Sequence, residues 1–298
     1  MLSILIPVYN YNVVALVKAL HQQAAESQVD FEIIVMEDGS TQYTEVNAQI
    51  ADISNCRYIP LKENVGRSVI RNKLAEEAKY DHLIFMDCDA EVRSKQYIRN
   101  YLPYCNTGSV VIGGTAYDDA MHDSDFSLRL KYGRCREAKT AQQRSEYKYK
   151  NFATFNFMIP KSVFNQIRFD ESIREYGHED SVFGYCLTKE GVDIIHIDNP
   201  LIHKGLDDNT TYIKKTEEAA KNLYNLYKTG NYPFLQEESK LIHTFARIKR
   251  YKMTGFFSLL FKGAKNALRK QLSSKNPSLL LYDIYKLFFL CYLDRQTE

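Results

Sequence analysis

The strongest constraint on this chain is an alternation. Across the first 115 residues, short apolar runs at 2–8, 31–36, 56–60, 82–86 and 109–113 are separated by stretches of helical period at 12–25, 43–52, 66–79 and 94–102. Strand and helix taking turns in this way predict a parallel sheet joined by crossover helices, an α/β architecture. Several of these strands run into polar or turn-forming residues: Tyr9-Asn10, Glu37-Asp38-Gly39 and Asp87-Cys88-Asp89. Ligands of open parallel sheets bind beyond the carboxyl ends of the strands, so the candidate functional groups collect at one edge.

After residue 118 the pattern changes. Residues 118–150 are polar, tyrosine-bearing and dense in charge, with a helical stretch near 126–139, and read as a mobile insertion over the site. An apolar block at 152–160, a short helix at 161–166, a helix from Gly177-His178-Glu179-Asp180 to Lys189 and a strand at 193–197 then resume the sheet. A further helix at 210–228 stops at Gly230, with Pro233 beyond it.

The charge is divided along the chain. The overall balance of +2 hides 27 basic and 34 acidic side chains in residues 1–239 against 12 and 3 in residues 240–298. Between Lys240 and Lys275 there are ten Lys or Arg and no acid, interleaved with Phe256, Phe257, Leu259, Leu260 and Phe261. An acidic body with a basic, aromatic, helical tail is the result. The near-neutral total gives no global basic field, which argues against a dedicated nucleic-acid binder. For the tail two readings stand: attachment to an anionic membrane face, or packing of its aromatic faces on protein.

Six cysteines without close paired spacing, and seven histidines, form no zinc pattern. Reduced thiols and a cytoplasmic protein, peripheral on the inner membrane face if the tail binds lipid, are the expectation. Residues 3–8 are too short for a secretory apolar region, and the longest apolar stretch, 279–293, is broken by Asp283 and Lys286, so no membrane span is expected.

Four groupings carry chemistry. Asp87 and Asp89 alternate at the end of a strand, and extended geometry would point both carboxylates the same way, as a pair for Mg²⁺ or Mn²⁺ or as a polar strand end. His203, just past the 193–197 strand, is either a third metal ligand or phosphate contact, or an ordinary structural histidine. Gly177-His178-Glu179-Asp180 places two acids at a helix entry, for capping, for general-base work, or one for each. Asn64-Val65-Gly66-Arg67 leads into a helix carrying Arg71 and Asn72, as a turn and solvated face or as contacts to a nucleotide diphosphate. There is no Gly-x-x-x-x-Gly-Lys and no Gly-x-Gly-x-x-Gly, which argues against ATPase and NAD-binding folds.

Taken in order, Ile6-Pro7-Val8-Tyr9-Asn10, Glu37-Asp38-Gly39-Ser40, Asn64-Val65-Gly66 with Arg71-Asn72, Asp87-Cys88-Asp89 and Gly177-His178-Glu179-Asp180 resemble the family 2 inverting glycosyltransferases of the GT-A fold, over about residues 2–230. The resemblance implies a mixed, mostly parallel Rossmann-like sheet flanked by helices. A catalytic domain at 1–235, with a nucleotide-sugar half at 1–115 and an acceptor half at 116–235, precedes the 236–298 tail. It implies that Pro7, Tyr9 and Asp38 hold the base, usually uracil, near Arg71, with Asn64 and Gly66 also on the donor. Asp87 would lie near the ribose, Asp89 would bind Mn²⁺ or Mg²⁺, and Asp180 would be the base.

Tyr176, His178 and Glu179 would flank the hydroxyl of a saccharide or lipid-linked saccharide acceptor, and residues 151–160 resemble the acceptor-side segment. Glu37 stands where the family more often has Asp. A sugar nucleotidyltransferase would want a Gly-rich, Arg-bearing loop after the first strand, where Pro-Val-Tyr-Asn stands instead. A polyprenyl-phosphate sugar transferase and a catalytically silent nucleotide-sugar-binding protein are the remaining alternatives.

Overall fold

The computed structural model describes residues 1–121 and 124–296; two residues of the expected insertion, 122–123, and the last two of the tail, 297–298, lie outside the described residues. The elements in chain order begin with β1 (Leu2–Val8), α1 (Val14–Glu26), β2 (Phe31–Glu37), α2 (Thr44–Ala48), β3 (Cys56–Pro60), α3 (Arg67–Glu77), β4 (His82–Met86) and β5 (Ala90–Glu91). Then come β6 (Val110–Ile112), β7 (Thr115–Ala116), α4 (Ser127–Tyr132), α5 (Ala141–Ser145), β8 (Asn156–Pro160), α6 (Lys161–Ile167), α7 (Glu179–Lys189), β9 (Ile194–His196) and β10 (Leu201–His203). Helices α8 (Asn209–Thr229), α9 (Phe234–Glu238), α10 (Lys240–Arg250), α11 (Thr254–Leu272) and α12 (Leu279–Gln296) complete the chain. It forms two compact units: residues 1–118, 138–174 and 179–205, and residues 119–137, 175–178 and 206–298.

The first unit holds a seven-stranded sheet in the order β3-β2-β1-β4-β8-β6-β9. The pairs β1–β2, β2–β3, β1–β4 and β6–β9 are parallel, and β8 runs antiparallel to both β4 and β6. The central strands are largely apolar because both faces of the sheet are covered there, and the buried polar pair Ser3 and Glu32 on β1 and β2 is joined by a hydrogen bond. Alternation then sorts their side chains. Leu2, Ile4, Ile6 and Val8 join Ile33, Val35, Ile84 and Met86 in one core, while Leu5, Ile34, Met36, Leu83 and Phe85 join Phe157, Phe164 and Phe183 in the other. A smaller sheet, β5-β10-β7, sits at the end of the same unit.

Two expectations change here. Residues 94–102 are turns leading into a short 3₁₀ segment at Leu102–Tyr104, not an α-helix. Tyr97, Ile98 and Tyr101 imitate helical spacing but plug the first core, where the hydroxyls of Tyr97 and Tyr101 each donate to Asn156 Oδ1 at 2.7 Å. Residues 138–150, expected as part of a mobile insertion, are tied to the sheet through buried Arg144. Its guanidinium donates to the carbonyls of Lys139, Gly113 (3.2 Å) and Ile197 (2.7 Å).

The second unit is helical. Phe261 of α11 packs on Tyr285, Phe289 and Tyr292 of α12, and Tyr282 of α12 stacks on Tyr212 of α8 with centroids 5.9 Å apart. Asp294 accepts from Tyr224 at 2.9 Å and from Lys249 at 2.5 Å, and Arg269 pairs with Glu217 at 2.7 Å. Much of the tail's aromatic surface is therefore core for these helices. Residues 206–235 group with the tail because Tyr212 and Tyr224 have their apolar partners there. No helix among the described residues is long and apolar enough to cross a membrane.

Candidate active site

The site is built first from loops at the carboxyl ends of β1 and β2. Asn10, in the left-handed region at φ 51°, accepts from the amides of Thr41 (2.8 Å) and Gln42 (3.0 Å), and its own N–H donates to Ser40 Oγ at 2.9 Å. Glu37 is buried and accepts from the Ser40 hydroxyl and from Asn47 Nδ2 at 2.7 Å. Asn47 in turn accepts from Val13 N–H at 3.1 Å and donates to the Tyr11 carbonyl at 2.8 Å. The extra methylene of Glu37 reaches across to this asparagine, so the departure from Asp serves to lace the loops together.

Asp38 accepts from the amides of Val65 (2.7 Å) and Gly66 (3.2 Å), pinning the turn that opens α3. Burial raises its pKa while those two N–H groups oppose the rise. Between them Gly39 has φ +67°, and a Cβ there would lie 2.5 Å from the backbone of Glu63 and Asn64. Tyr9, 55 % exposed, Pro7 and exposed Asn64 are left at the rim of this laced shelf.

Arg71 of α3, the helix that this turn opens, has a side chain only 3 % exposed. Its Nη2 donates to Asp87 Oδ1 at 2.7 Å, and its Nη1 lies 3.9 Å from Glu179 Oε1, which Arg67 Nη1 also approaches at 3.5 Å. The guanidinium stands 5.7 Å from the centroid of Phe169. Asn72, the next residue, bonds the Phe169 carbonyl (3.0 Å), the Phe169 amide (3.0 Å) and Glu171 (2.9 Å), which straps residues 169–171 across α3.

At the entry of α7, Asp180 accepts from the Ser181 amide at 2.7 Å. Burial and the adjacent Glu179 charge push its pKa up to about 6, against the pull of Ser181 and Arg71. Asp87 and Glu179, read from two separate motifs, thus share one arginine, whose charge also acts on Asp180.

Asp89 has other company. Residues 87–89 form a turn, with Ala90 N–H donating to the Asp87 carbonyl at 3.3 Å, so extended geometry does not persist and the two aspartates face different partners. The antiparallel β5–β10 register places His203 opposite Ala90, and His203 Nε2 lies 3.0 Å from Asp89 Oδ2. The Lys204 amide donates to the Asp89 carbonyl at 2.8 Å, and Tyr117 OH lies 3.3 Å from His203 Nδ1.

Asp89 Oδ1 is buried, with no hydrogen-bond partner among the described residues. A Cβ on Gly205 would stand 2.3 Å from Asp89 Oδ2, so only glycine leaves that carboxylate its position. Cys88 between the aspartates is held protonated, its pKa pushed up to about 12 by burial and the flanking charges. Among the described residues no group of three or more His, Cys, Asp or Glu side chains stands ready to hold a metal ion. Asp89 and His203 are a pair, and Asp87 is turned to Arg71.

Tyr176 and His178 belong to the helical unit. The preceding strained turn, Gly177 at φ 90° and His178 at φ 74°, is held by Asn222 Nδ2 donating to the Gly177 carbonyl at 2.7 Å. Both side chains line a cleft of about 330 Å³ together with Tyr132, Tyr212, Lys215 and Tyr282. Residues 151–160 contribute β8, where Asn156 donates to the carbonyls of Gly114 and Asn199, both at 2.9 Å, while accepting from the two tyrosines. Asn47, Tyr117, Arg144 and Asn156 were not singled out from sequence; each works through partners far away in the chain.

A mostly parallel mixed sheet with its acids and arginine at the carboxyl edge is the architecture of the GT-A fold. Residues 3–168 match the family described as Glycosyl transferase family 2, and the chain belongs to that family. It is 22% identical to the chondroitin synthase of Escherichia coli over 313 residues, covering 93% of this chain and 45% of that protein. The chain therefore spans under half of that relative's length.

Among solved structures, the mannosyltransferase PcManGT from Pyrobaculum calidifontis, in complex with GDP-Man and Mn²⁺, superposes with a TM-score of 0.57 at 14% identity, covering 99% of this chain and 86% of that one. Residues 1–349 of S. aureus TarS, in complex with UDP-GlcNAc, give 0.50 at 15% identity, covering 100% and 92%. At these identities the likeness is one of fold.

Proposed function

We propose that this chain transfers a sugar from a nucleotide-diphosphate donor, UDP-linked, to a saccharide hydroxyl with inversion, in the assembly of a polysaccharide or glycolipid. The observation that carries the reading is the convergence on Arg71 of Asp87, from the turn after β4, and of the Glu179–Asp180 pair at the entry of α7. The nucleotide lies on the laced shelf, its base against Pro7, Tyr9 and Asp38, its diphosphate toward Asn64 and Gly66, and its ribose beside Asp87.

The acceptor hydroxyl attacks the anomeric carbon as the bond to the diphosphate oxygen breaks, and Asp180 takes the hydroxyl proton. A base with a pKa near 6 is ionised at neutral pH yet more proton-hungry than an ordinary carboxylate. Glu179, 5 % exposed and turned to two arginines, keeps Arg71 in place and sets the proton affinity of Asp180. Tyr176 and His178 supply the aromatic, hydrogen-bonding surface that an acceptor sugar needs.

The residues present fit a hard divalent cation, Mn²⁺ or Mg²⁺, in one place. Asp89 offers a buried oxygen that has no partner among the described residues, beside a histidine. Asp89 and His203 would hold it, and it would supply positive charge to the departing diphosphate.

The deciding experiment is product analysis by NMR after incubation with UDP-sugars and saccharide acceptors. Transfer with an inverted anomeric centre supports the proposal, and a retained configuration, or hydrolysis without transfer, overturns it.

A further inference from the structure

Helix α11 is apolar on two opposite sides. Its inner side, carrying Ser258, Phe261 and Leu272, is buried, with Phe261 on α12. On the other side Phe256 (57 % exposed), Leu259 (70 %) and Leu260 (41 %) face solvent at positions i, i+3 and i+4, and exposed Gly263 and Ala267 continue the stripe. The turn before α11 adds exposed Tyr251 and Met253, with Lys252 between them at φ 56°. A ridge of large exposed apolar side chains marks a surface that meets something.

The rim indicates what covers it. Arg247, Arg250, Lys252, Lys262 and Lys270 are all exposed around the ridge, and residues 240–275 contain no acid. A second copy would bring this positive face against itself, which like-charge repulsion opposes. A nucleic acid would satisfy the cations but leave Phe256, Leu259 and Leu260 in water. A bilayer rich in anionic phospholipid offers both an acyl boundary for the ridge and headgroups for the rim.

We propose that the outer face of α11, with the 251–253 turn, docks in the interface of an anionic membrane, Phe256, Leu259 and Leu260 entering the acyl boundary while the surrounding Lys and Arg lie among the headgroups. The helix lies in the plane of the surface. This inference is independent of the reaction assigned to the first unit.

The test is flotation of the full chain with vesicles of phosphatidylcholine alone and with vesicles containing about one-third phosphatidylglycerol. The wild type should float with the anionic vesicles only, and added salt should weaken its recovery. Phe256→Ser with Leu259→Ser, both on the solvent face, should lower recovery roughly tenfold without changing the circular dichroism spectrum. Lys262→Glu with Lys270→Glu should lower it on anionic vesicles as well.

Equal recovery on the two vesicle types, or equal recovery of wild type and the Phe256/Leu259 variant, overturns the proposal. So does a wild-type dimer that does not float and that the same variant turns into a monomer, since a second copy would then be the occupant.

Discussion

Arg71 Nη2 lies 2.7 Å from Asp87 Oδ1, and that contact joins a turn after β4 to an arginine on α3 that also reaches toward Glu179. Both arginine and glutamate side chains are almost wholly buried, so removing the cation strands a buried acid. Arg71→Met should therefore destabilise the fold by about 3 kcal/mol in urea titrations. It should also move the acid limb of transfer activity to higher pH, because the charge that lowers the Asp180 pKa is gone.

Asp180 gives the pH dependence a definite sign. A base must be ionised, so kcat/KM should rise with a slope of one proton through about pH 6 and be flat above it. Asp180→Asn should bind nucleotide normally by calorimetry and lose roughly 10²-fold or more in turnover. Wild-type turnover in that variant would remove Asp180 from the base's role.

The same raised pKa bears on stability. A carboxyl that holds its proton more tightly folded than unfolded contributes stability that is fully present below the ordinary carboxylate range and is lost as pH climbs through about 6. At pH 7.5 and above, Asp180→Asn should thus match or exceed the wild type, by about 1 kcal/mol after allowance for solvent, in thermal melts. At pH 4 the difference should vanish.

Gly205 and Asp89 can be tested together. A Cβ at 205 would displace Asp89 Oδ2, so Gly205→Ala should abolish any Mn²⁺-dependent rise in melting temperature with a nucleotide sugar, as should Asp89→Ala. Unfolding without metal should change little in Asp89→Ala. A Mn²⁺ response surviving in both variants would place the ion elsewhere.

Asn156 anchors the first core's polar centre, where its side chain makes four hydrogen bonds. Asn156→Ala takes a hydrogen bond from each of two tyrosine hydroxyls and from the Gly114 and Asn199 carbonyls and should cost about 3 kcal/mol. Denaturant midpoints with an unchanged m-value would confirm that the loss is local.

What was legible in the sequence follows from what is local. Strands 2–8, 56–60 and 82–86 appear where expected, because a strand with a covered face shows as a short apolar run between turn signals. The helix opening at Glu179 was equally plain from its glycine and paired acids. The 94–102 stretch misled because Tyr97, Ile98 and Tyr101 carry helical spacing while the two tyrosines answer to Asn156, more than fifty residues on. Asp87 and Asp89 looked like a matched pair until a turn replaced the strand between them. His203 meets Asp89 only through a three-residue strand that no periodicity could announce.

The lacing of Asn10, Glu37, Asp38, Ser40 and Asn47 has a thermodynamic corollary. Loops already fixed by folding have little freedom left to surrender, so if the proposed nucleotide binds there their ordering should add almost nothing unfavourable to the binding entropy. The cost of that order is borne in folding, where each of these side chains is fixed by a partner brought from elsewhere in the chain.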